Sequence, residues 1–288
     1  LPDLVITAAE LKESSLPRLR GVAITTNGFL TRRILDSTGA MARRLKEKDI
    51  DLVFACALDA AGELHDRIRG VEGGWERLKA TIEGLMDLRE TYPNLILGIK
   101  TTVLPQTVDH LEAVAAFAQA GGLFAIISPC LITGNRYDNL DRQAELRFSH
   151  SELARLAQFY RDNRLEWSYH QKIIRDLLSS GRVKKPCTAG SNYLFVRSTG
   201  QVHPCPLIDY PLGDFTRQPL FDLLRSKRAR RFRRSVGAFQ ECQTCTEPGL
   251  ERYALPAEGF TYAKLLCTMK AGEFQRLHAH MGLDKYLD

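Results

Sequence analysis

Four of the seven cysteines, Cys187, Cys205, Cys242 and Cys245, follow the pattern C-x17-C-x36-C-x2-C. A C-x-x-C turn lets two sulfurs face one centre while backbone N–H groups point at them. A hairpin between Cys187 and Cys205 can bring the other two alongside. Four thiolates so arranged suit a tetrahedral zinc ion or a cubane iron–sulfur cluster. Zinc ribbons usually use two C-x-x-C pairs and this chain has one, which favours the cluster. Four unrelated buried thiols are the plain alternative. A thioredoxin-like redox pair is disfavoured, because Cys242 does not sit at a strand-to-helix junction. Cys56 falls mid-strand and Cys267 in an apolar helical pattern with Tyr262, Leu265 and Leu266, so both are expected in the core. Cys130 lies at a strand end, where a thiol can face a substrate. His278 and His280 form an H-x-H, but residues two apart on a helix point to different faces, and a surface role is expected.

These side chains need elements to hold them. Around the cysteines, Gly190, Gly200, Pro204, Pro206, Pro211 and Gly213 punctuate the chain, and Tyr193–Val196 and Gln201–His203 read as a β-hairpin across Arg197-Ser198-Thr199-Gly200. The first half instead alternates strand and helix. Strands are expected at Gly21–Thr25, Ile50–Leu58, Leu95–Leu104 and Leu123–Ile127; helices at Thr31–Lys48, Trp75–Leu88 and Val108–Ala120. Ile50–Leu58 is apolar except for Asp51, as in a parallel strand covered on both faces. Ser149-His150-Ser151-Glu152 has capping-box form and predicts a helix running to Arg161. Strand–helix alternation implies βαβ units. No G-x-G-x-x-G follows any strand, so a dinucleotide fold has no fingerprint to rest on and an open or closed (β/α) barrel fits at least as well. Function then belongs at the strand ends, which carry Thr26-Asn27-Gly28, Asp59, Thr101-Thr102 and Ser128-Pro129-Cys130. A domain boundary is expected near residue 180, giving 1–180 and 181–288.

Composition narrows the class. The chain has 288 residues, 44% hydrophobic and 26% charged, enough for one large core or a core with a small satellite. No run approaches the roughly 20 apolar residues that cross a bilayer, and no signal-peptide pattern is present, so no membrane role is expected. An odd number of cysteines without dense spacing argues against a secreted disulfide scaffold, and for a reducing, cytoplasmic setting. Of the net charge of +6, much sits in Arg225–Arg234, RSKRARRFRR. Without aromatic interleaving or a docking motif, this run reads as a solvated helix face and not as a nucleic-acid-binding element.

Taken together, ITTNG (Ile24–Gly28), ALDAAGELHDRIRG (Ala57–Gly70) and IKTTVL (Ile99–Leu104) resemble the core of radical S-adenosylmethionine (radical SAM) enzymes. The second half is similar to their SPASM or twitch domains: Gly200–Cys205 as G-x4-C, then Leu212-Gly213-Asp214, an arginine-rich helix, and C-x2-C. The likeness covers roughly residues 5–250. It implies a partial (β/α) barrel followed by a small α+β cysteine-rich iron–sulfur domain. It also implies an auxiliary 4Fe–4S cluster on Cys187, Cys205, Cys242 and Cys245. It places S-adenosylmethionine (SAM) beside Thr26, Asn27 and Gly28, with Arg69 on its carboxylate and Thr102 nearby. A guanidinium suits that role through two parallel N–H bonds; the competing expectation for Arg69 is a surface ion pair with Asp66 or Glu72.

Two departures stand out. The family commonly has Ser-Leu-Asp where this chain has Ala57-Leu58-Asp59, which removes a hydroxyl. No C-x3-C-x2-C, the motif that binds the SAM-cleaving cluster, occurs in the 288 residues. As the chain opens on Leu1, the expectation is a fragment whose full-length form carries that motif and a second 4Fe–4S cluster, and which is inactive without it. The implied activity is radical oxidation or maturation of a peptide or small molecule, with a flavodoxin or ferredoxin as reductant. A maturase aspartate directly after the hairpin cysteine is replaced by Pro206. No catalytic residue can be named. A non-catalytic iron–sulfur electron-transfer or scaffold protein, or a zinc module, is the alternative.

Overall fold

In the computed structural model, residues 2–162, 169–183, 187–248, 257–268, 270, 272, 274 and 279–281 are described. Contacts group the chain into two compact units, residues 1–127 with 269–288, and residues 128–268.

The first unit is built on a four-stranded sheet of order β1-β2-β3-β4: Gly21–Thr26, Asp51–Ala57, Leu95–Val103 and Phe124–Pro129. β1 pairs in parallel with β2, Thr26 opposite Cys56, and β2 in parallel with β3, Cys56 opposite Ile99. Helices α1 (Pro2–Glu10), α2 (Thr31–Lys46), α3 (Glu63–Arg69), α4 (Gly74–Thr91) and α5 (Leu111–Ala120) complete the βα alternation. β2 and β3 bury Leu52, Phe54, Leu97 and Ile99 on one face and Ala55 and Gly98 on the other, which is why their sequences are near-continuously apolar. α2 supplies Met41 and Leu45 to that core, and α4 supplies Leu78, Ile82 and Leu85. β1 is an edge strand with Gly21, Ala23 and Thr25 exposed. Gly98 of β3 gives up a side chain so that the Phe124 ring of β4 can approach; a Cβ there would lie 2.4 Å from the ring.

The second unit carries α6 (Gln143–Leu146), α7 (His150–Asp162) and α8 (Tyr169–Ser180). Beyond them lies a three-stranded antiparallel sheet, β5 (Phe195–Val196), β6 (Gln201–His203) and β7 (Gly213–Asp214). Then come α9 (Leu220–Arg225), α10 (Lys227–Ser235) and α11 (Ala257–Thr268). The capping box opens α7 as expected: the Ser149 N–H donates to Glu152 Oε2 at 2.6 Å, and the Glu152 N–H to Ser149 Oγ at 3.3 Å. The expected hairpin is β5–β6, closed by the Gly200 N–H donating to the Arg197 carbonyl at 2.9 Å.

The expected boundary near 180 falls inside this compact unit. Segment 131–136 explains why it joins the cysteine-rich half. The Thr133 hydroxyl donates to the Leu207 carbonyl (2.8 Å), the Asn135 amide to the Ile208 carbonyl (2.9 Å), and the Arg136 N–H to the Pro206 carbonyl (3.2 Å). Thr133 and Asn135 are both buried, so these bonds satisfy polar groups that water cannot reach.

Candidate functional site

The sequence points to two groups of residues, one in each compact unit. In the first unit, the Thr26-Asn27-Gly28 turn ends β1 and is pinned to α4. The Gly28 carbonyl accepts from Thr81 Oγ1 at 2.7 Å, and Thr81 in turn shares a 2.7 Å bond with Thr31. The Gly28 N–H donates to Thr26 Oγ1 at 3.2 Å, and the Phe29 N–H to Asn27 Oδ1 at 3.4 Å. Gly28 has φ +78°, and a Cβ there would lie 2.4 Å from Leu78 Cδ1, so both its backbone and its surroundings exclude a side chain. Asn27 stays exposed at the strand end.

Arg69 and Thr102 meet through a residue whose role the sequence did not disclose. Asp59, 3% exposed at the end of β2, forms an ion pair with Arg69 (2.7 Å) through Oδ2 and accepts the Thr102 N–H (3.1 Å) at Oδ1. Neither Asp66 nor Glu72 forms that pair. Asp66 instead accepts the Gly73 and Trp75 N–H groups at 2.7 and 2.6 Å, satisfying orphan donors where α4 begins. Arg69 sits on the last turn of α3, and Gly70 ends that helix in the left-handed conformation, turning the chain back over the strand end. Buried His65 accepts the Asp59 N–H at Nδ1 (3.4 Å), and burial holds its imidazole below its ordinary range, with Asp59 acting in the opposite direction. The sequence signals for Asp59 were its place directly after an apolar parallel strand and the match of Ala57-Leu58-Asp59 to the family's Ser-Leu-Asp.

In the second unit the four cysteines come together. Cys187, Cys205, Cys242 and Cys245 all line one cavity of about 250 Å³, whose remaining wall includes Ala189, Leu207, Ile208, Phe232 and Phe239. Cys205 and Cys245 are buried and Cys187 and Cys242 partly so. Burial pushes the Cys205 thiol up to about 12, and the neighbouring Cys245 and Cys187 act in the same direction. The Leu207 N–H is directed at Cys205 Sγ at 3.4 Å, an N–H to sulfur contact of the kind that tunes thiolate-bound clusters. Among the described residues no three His, Cys, Asp or Glu side chains converge to hold a single ion. Four soft thiol donors lining one cavity, with a backbone donor on one sulfur, fit a thiolate-bound cluster.

Beside this cavity the sequence missed a second buried pair. Glu247, two residues beyond Cys245 and 3% exposed, pairs with Arg136 at 2.9 Å and accepts from Tyr137 Oη at 3.4 Å. Burial and the Glu247 charge push the Tyr137 phenol up to about 12.

The remaining candidates separate. Cys56 is buried in β2 as expected, its thiol pushed up to about 12 by burial. Cys130 is half-buried on the wall of a neighbouring cavity of about 400 Å³ and donates to the Leu146 carbonyl at 3.4 Å. Cys267 is exposed, against expectation: five residues beyond buried Tyr262, it has rotated off that residue's stripe on α11. His280 is half-buried and stacks on Phe124 with centroids 4.4 Å apart, so it is not the surface residue expected. His278 lies outside the described residues. No helix among them is long and apolar enough to cross a membrane.

A family model for an iron–sulfur cluster-binding domain, SPASM, matches residues 187–246, a range that contains all four cavity cysteines. The chain is similar to an AdoMet-dependent heme synthase of Methanosarcina barkeri, 23% identical over 219 residues, covering 70% of this chain and 59% of that protein. It is also similar to the sporulation killing factor maturation protein SkfB of Bacillus subtilis, 23% identical over 229 residues, covering 77% and 52%.

These matches support the expected resemblance to radical SAM enzymes that carry a SPASM domain.

The solved structure of native anSMEcpe with bound AdoMet and Cp18Cys peptide shares the fold, with a TM-score of 0.51 at 15% identity over 80% of this chain and 65% of that one. The expected α/β architecture therefore holds: a parallel sheet with helices, compatible with the expected partial barrel. It spans between half and three fifths of the length of the curated relatives it matches.

Proposed function

We propose that this chain forms the core and auxiliary-cluster parts of a radical SAM oxidoreductase or maturase that works in the cytoplasm. The observation that carries this is the cavity that Cys187, Cys205, Cys242 and Cys245 all line, inside the SPASM match. We assign these four residues as ligands of an auxiliary 4Fe–4S cluster, with the Leu207 N–H bonding one of the sulfurs. When bound, SAM and the cluster that cleaves it supply the 5′-deoxyadenosyl radical that abstracts hydrogen from the substrate. No C-x3-C-x2-C is present in the 288 residues, so we assign that second cluster to residues outside them.

The chain's own residues then bind and orient. Arg69, held at 2.7 Å by Asp59, offers a fixed guanidinium to a carboxylate such as that of SAM. Thr26, Asn27 and Gly28 line the adjoining strand end, and Asp59 also fixes the backbone at Thr102. Because Ala57 stands where the family has serine, the guanidinium carries more of the grip on the cofactor. Between the two substrate classes, a peptide has the better support: one relative is a killing-factor maturation protein by name, and the solved neighbour holds a peptide. The heme synthases keep a small molecule in view.

The test uses the full-length protein, loaded anaerobically with iron and sulfide. With a low-potential reductant such as a flavodoxin or ferredoxin, it should form 5′-deoxyadenosine. Substituting all four cavity cysteines by alanine should remove about four irons while leaving SAM cleavage in place and abolishing product formation. Unchanged iron content in that variant contradicts the ligand assignment; absent 5′-deoxyadenosine from the intact protein contradicts the radical SAM activity.

A further inference from the structure

The arginine-rich stretch is not merely a solvated face. Between Leu223 and Gln240 the chain places seven basic residues and no acidic one, a local excess larger than the net charge of +6 of the whole sequence. α10 carries most of it and is firmly oriented. Its start is capped by Ser226 Oγ, which accepts the Ala229 N–H at 3.1 Å. Arg233 is spent on structure, donating to the Gly190 and Leu224 carbonyls at 3.1 Å. Ala229 and Phe232 are buried, and Phe232 forms part of the wall of the cysteine-lined cavity.

Lys227, Arg230, Arg231 and Arg234 recur at i, i+3, i+4 and i+7, on the face of α10 opposite Ala229 and Phe232. All four are exposed, and among the described residues none is paired with a carboxylate. On α9, which precedes α10, Arg225 stacks over the Phe221 ring at 3.9 Å, and Phe221 is 58% exposed. Unneutralised basic side chains, mostly arginine, with an exposed aromatic ring at the start of the stretch are in keeping with a protein-binding surface.

We propose that the outer face of α10 is the docking surface for an acidic one-electron carrier protein that exchanges electrons with the cluster in the cysteine-lined cavity. This rests on the cluster assignment above. One side of the helix forms cavity wall and the other is the basic face. A helix with its side chains is about 10–12 Å across, so a carrier seated there faces the cluster through little more than one helix. That adjacency favours an electron carrier over a nucleic acid, which has no need of a redox centre behind its binding face. In the transfer the reduced carrier loses one electron and the 4Fe–4S core goes from 2+ to 1+; no bond forms or breaks and no proton moves.

The experiment follows reduction of the anaerobically reconstituted chain by a reduced acidic 2Fe–2S ferredoxin in stopped flow. Wild type is compared with the Lys227→Glu, Arg231→Glu, Arg234→Glu triple variant and with the corresponding triple glutamine variant, which removes charge without reversing it. Electrostatic steering raises association rates by about 10- to 1,000-fold. The glutamate variant should therefore react at least tenfold more slowly at low salt, with the glutamine variant between. The wild-type rate should fall steeply from about 0.01 M to about 1 M salt, as the Debye length shrinks from about 30 to about 3 Å. Iron and sulfide content, and reduction by a neutral photoreduced deazaflavin, should be equal in all three. Equal ferredoxin rates in cluster-bearing wild type and variants overturn the docking face and leave the cluster assignment intact. A wild-type chain that takes up no iron and sulfide overturns the cluster assignment itself. If the wild type binds duplex RNA salt-sensitively, the variants release it and the ferredoxin rates do not change, the face belongs to nucleic acid instead.

Discussion

Replacing Asp59 by alanine removes two bonds at once, and the geometry sets the cost. The Asp59 side chain is 4% exposed and the Arg69 side chain 29%. Breaking a fully buried ion pair from one side costs about 3–5 kcal/mol, because the surviving charge stays desolvated. Arg69 keeps partial access to water, so the cost falls below that range, to about 2–3 kcal/mol. The Thr102 N–H loses its acceptor as well, for about 1 kcal/mol. A total near 3 kcal/mol should lower the urea midpoint by about 1 M at a slope of about 3 kcal/mol/M. Because the two side chains touch, Asp59→Ala and Arg69→Ala should be non-additive: the double variant should be more stable than the sum of the singles by about 1–2 kcal/mol. Denaturant titrations of the four proteins, followed by circular dichroism, measure this directly. A loss below about 0.5 kcal/mol for Asp59→Ala, or simple additivity, would show that the pair is no more than a surface contact.

Gly28→Ala should cost about 2–4 kcal/mol, combining a left-handed backbone position with a Cβ 2.4 Å from Leu78 Cδ1; a thermal midpoint equal to wild type refutes the packing of the turn. Acidification should destabilise the chain through His65. Burial lowers its folded-state pKa, so as pH falls below the ordinary imidazole value of about 6.5, the unfolded chain takes up a proton that the folded one does not, and stability declines. His65→Gln should flatten that decline between about pH 7 and pH 5; identical slopes would place the titration elsewhere.

Local signals carried much of the fold. β2 was legible because Ile50–Leu58 is nearly all apolar, and the start of α7 because Ser149 and Glu152 stand in capping-box register. The β5–β6 hairpin was legible from a strand-turn-strand pattern closed by Gly200. Partner choice was not. Arg69 has Asp66 and Glu72 close by in sequence, yet three residues N-terminal on α3 Asp66 is engaged by the start of α4, and Glu72 lies beyond the left-handed turn at Gly70. Asp59, ten residues away, is brought in by the return of the chain over the strand end. The same reasoning misplaced Cys267: an apolar stretch names a helix, but only the register of its buried stripe says which side chains go inside. The four cysteines were legible as a set from spacing alone. That they line one cavity is a property of the hairpin, of α10 and of the Gln240–Thr244 turn together.

The most direct test of the account is the inorganic content of the second unit's cysteine cavity. The chain purified anaerobically with iron and sulfide should be brown, with broad visible absorption, and hold about four irons and four sulfides on its four cavity cysteines. Cys205→Ala should lose them and Cys267→Ala should keep them. A colourless chain holding one tightly bound zinc, or iron that survives Cys205→Ala and leaves with Cys267→Ala, would contradict the account.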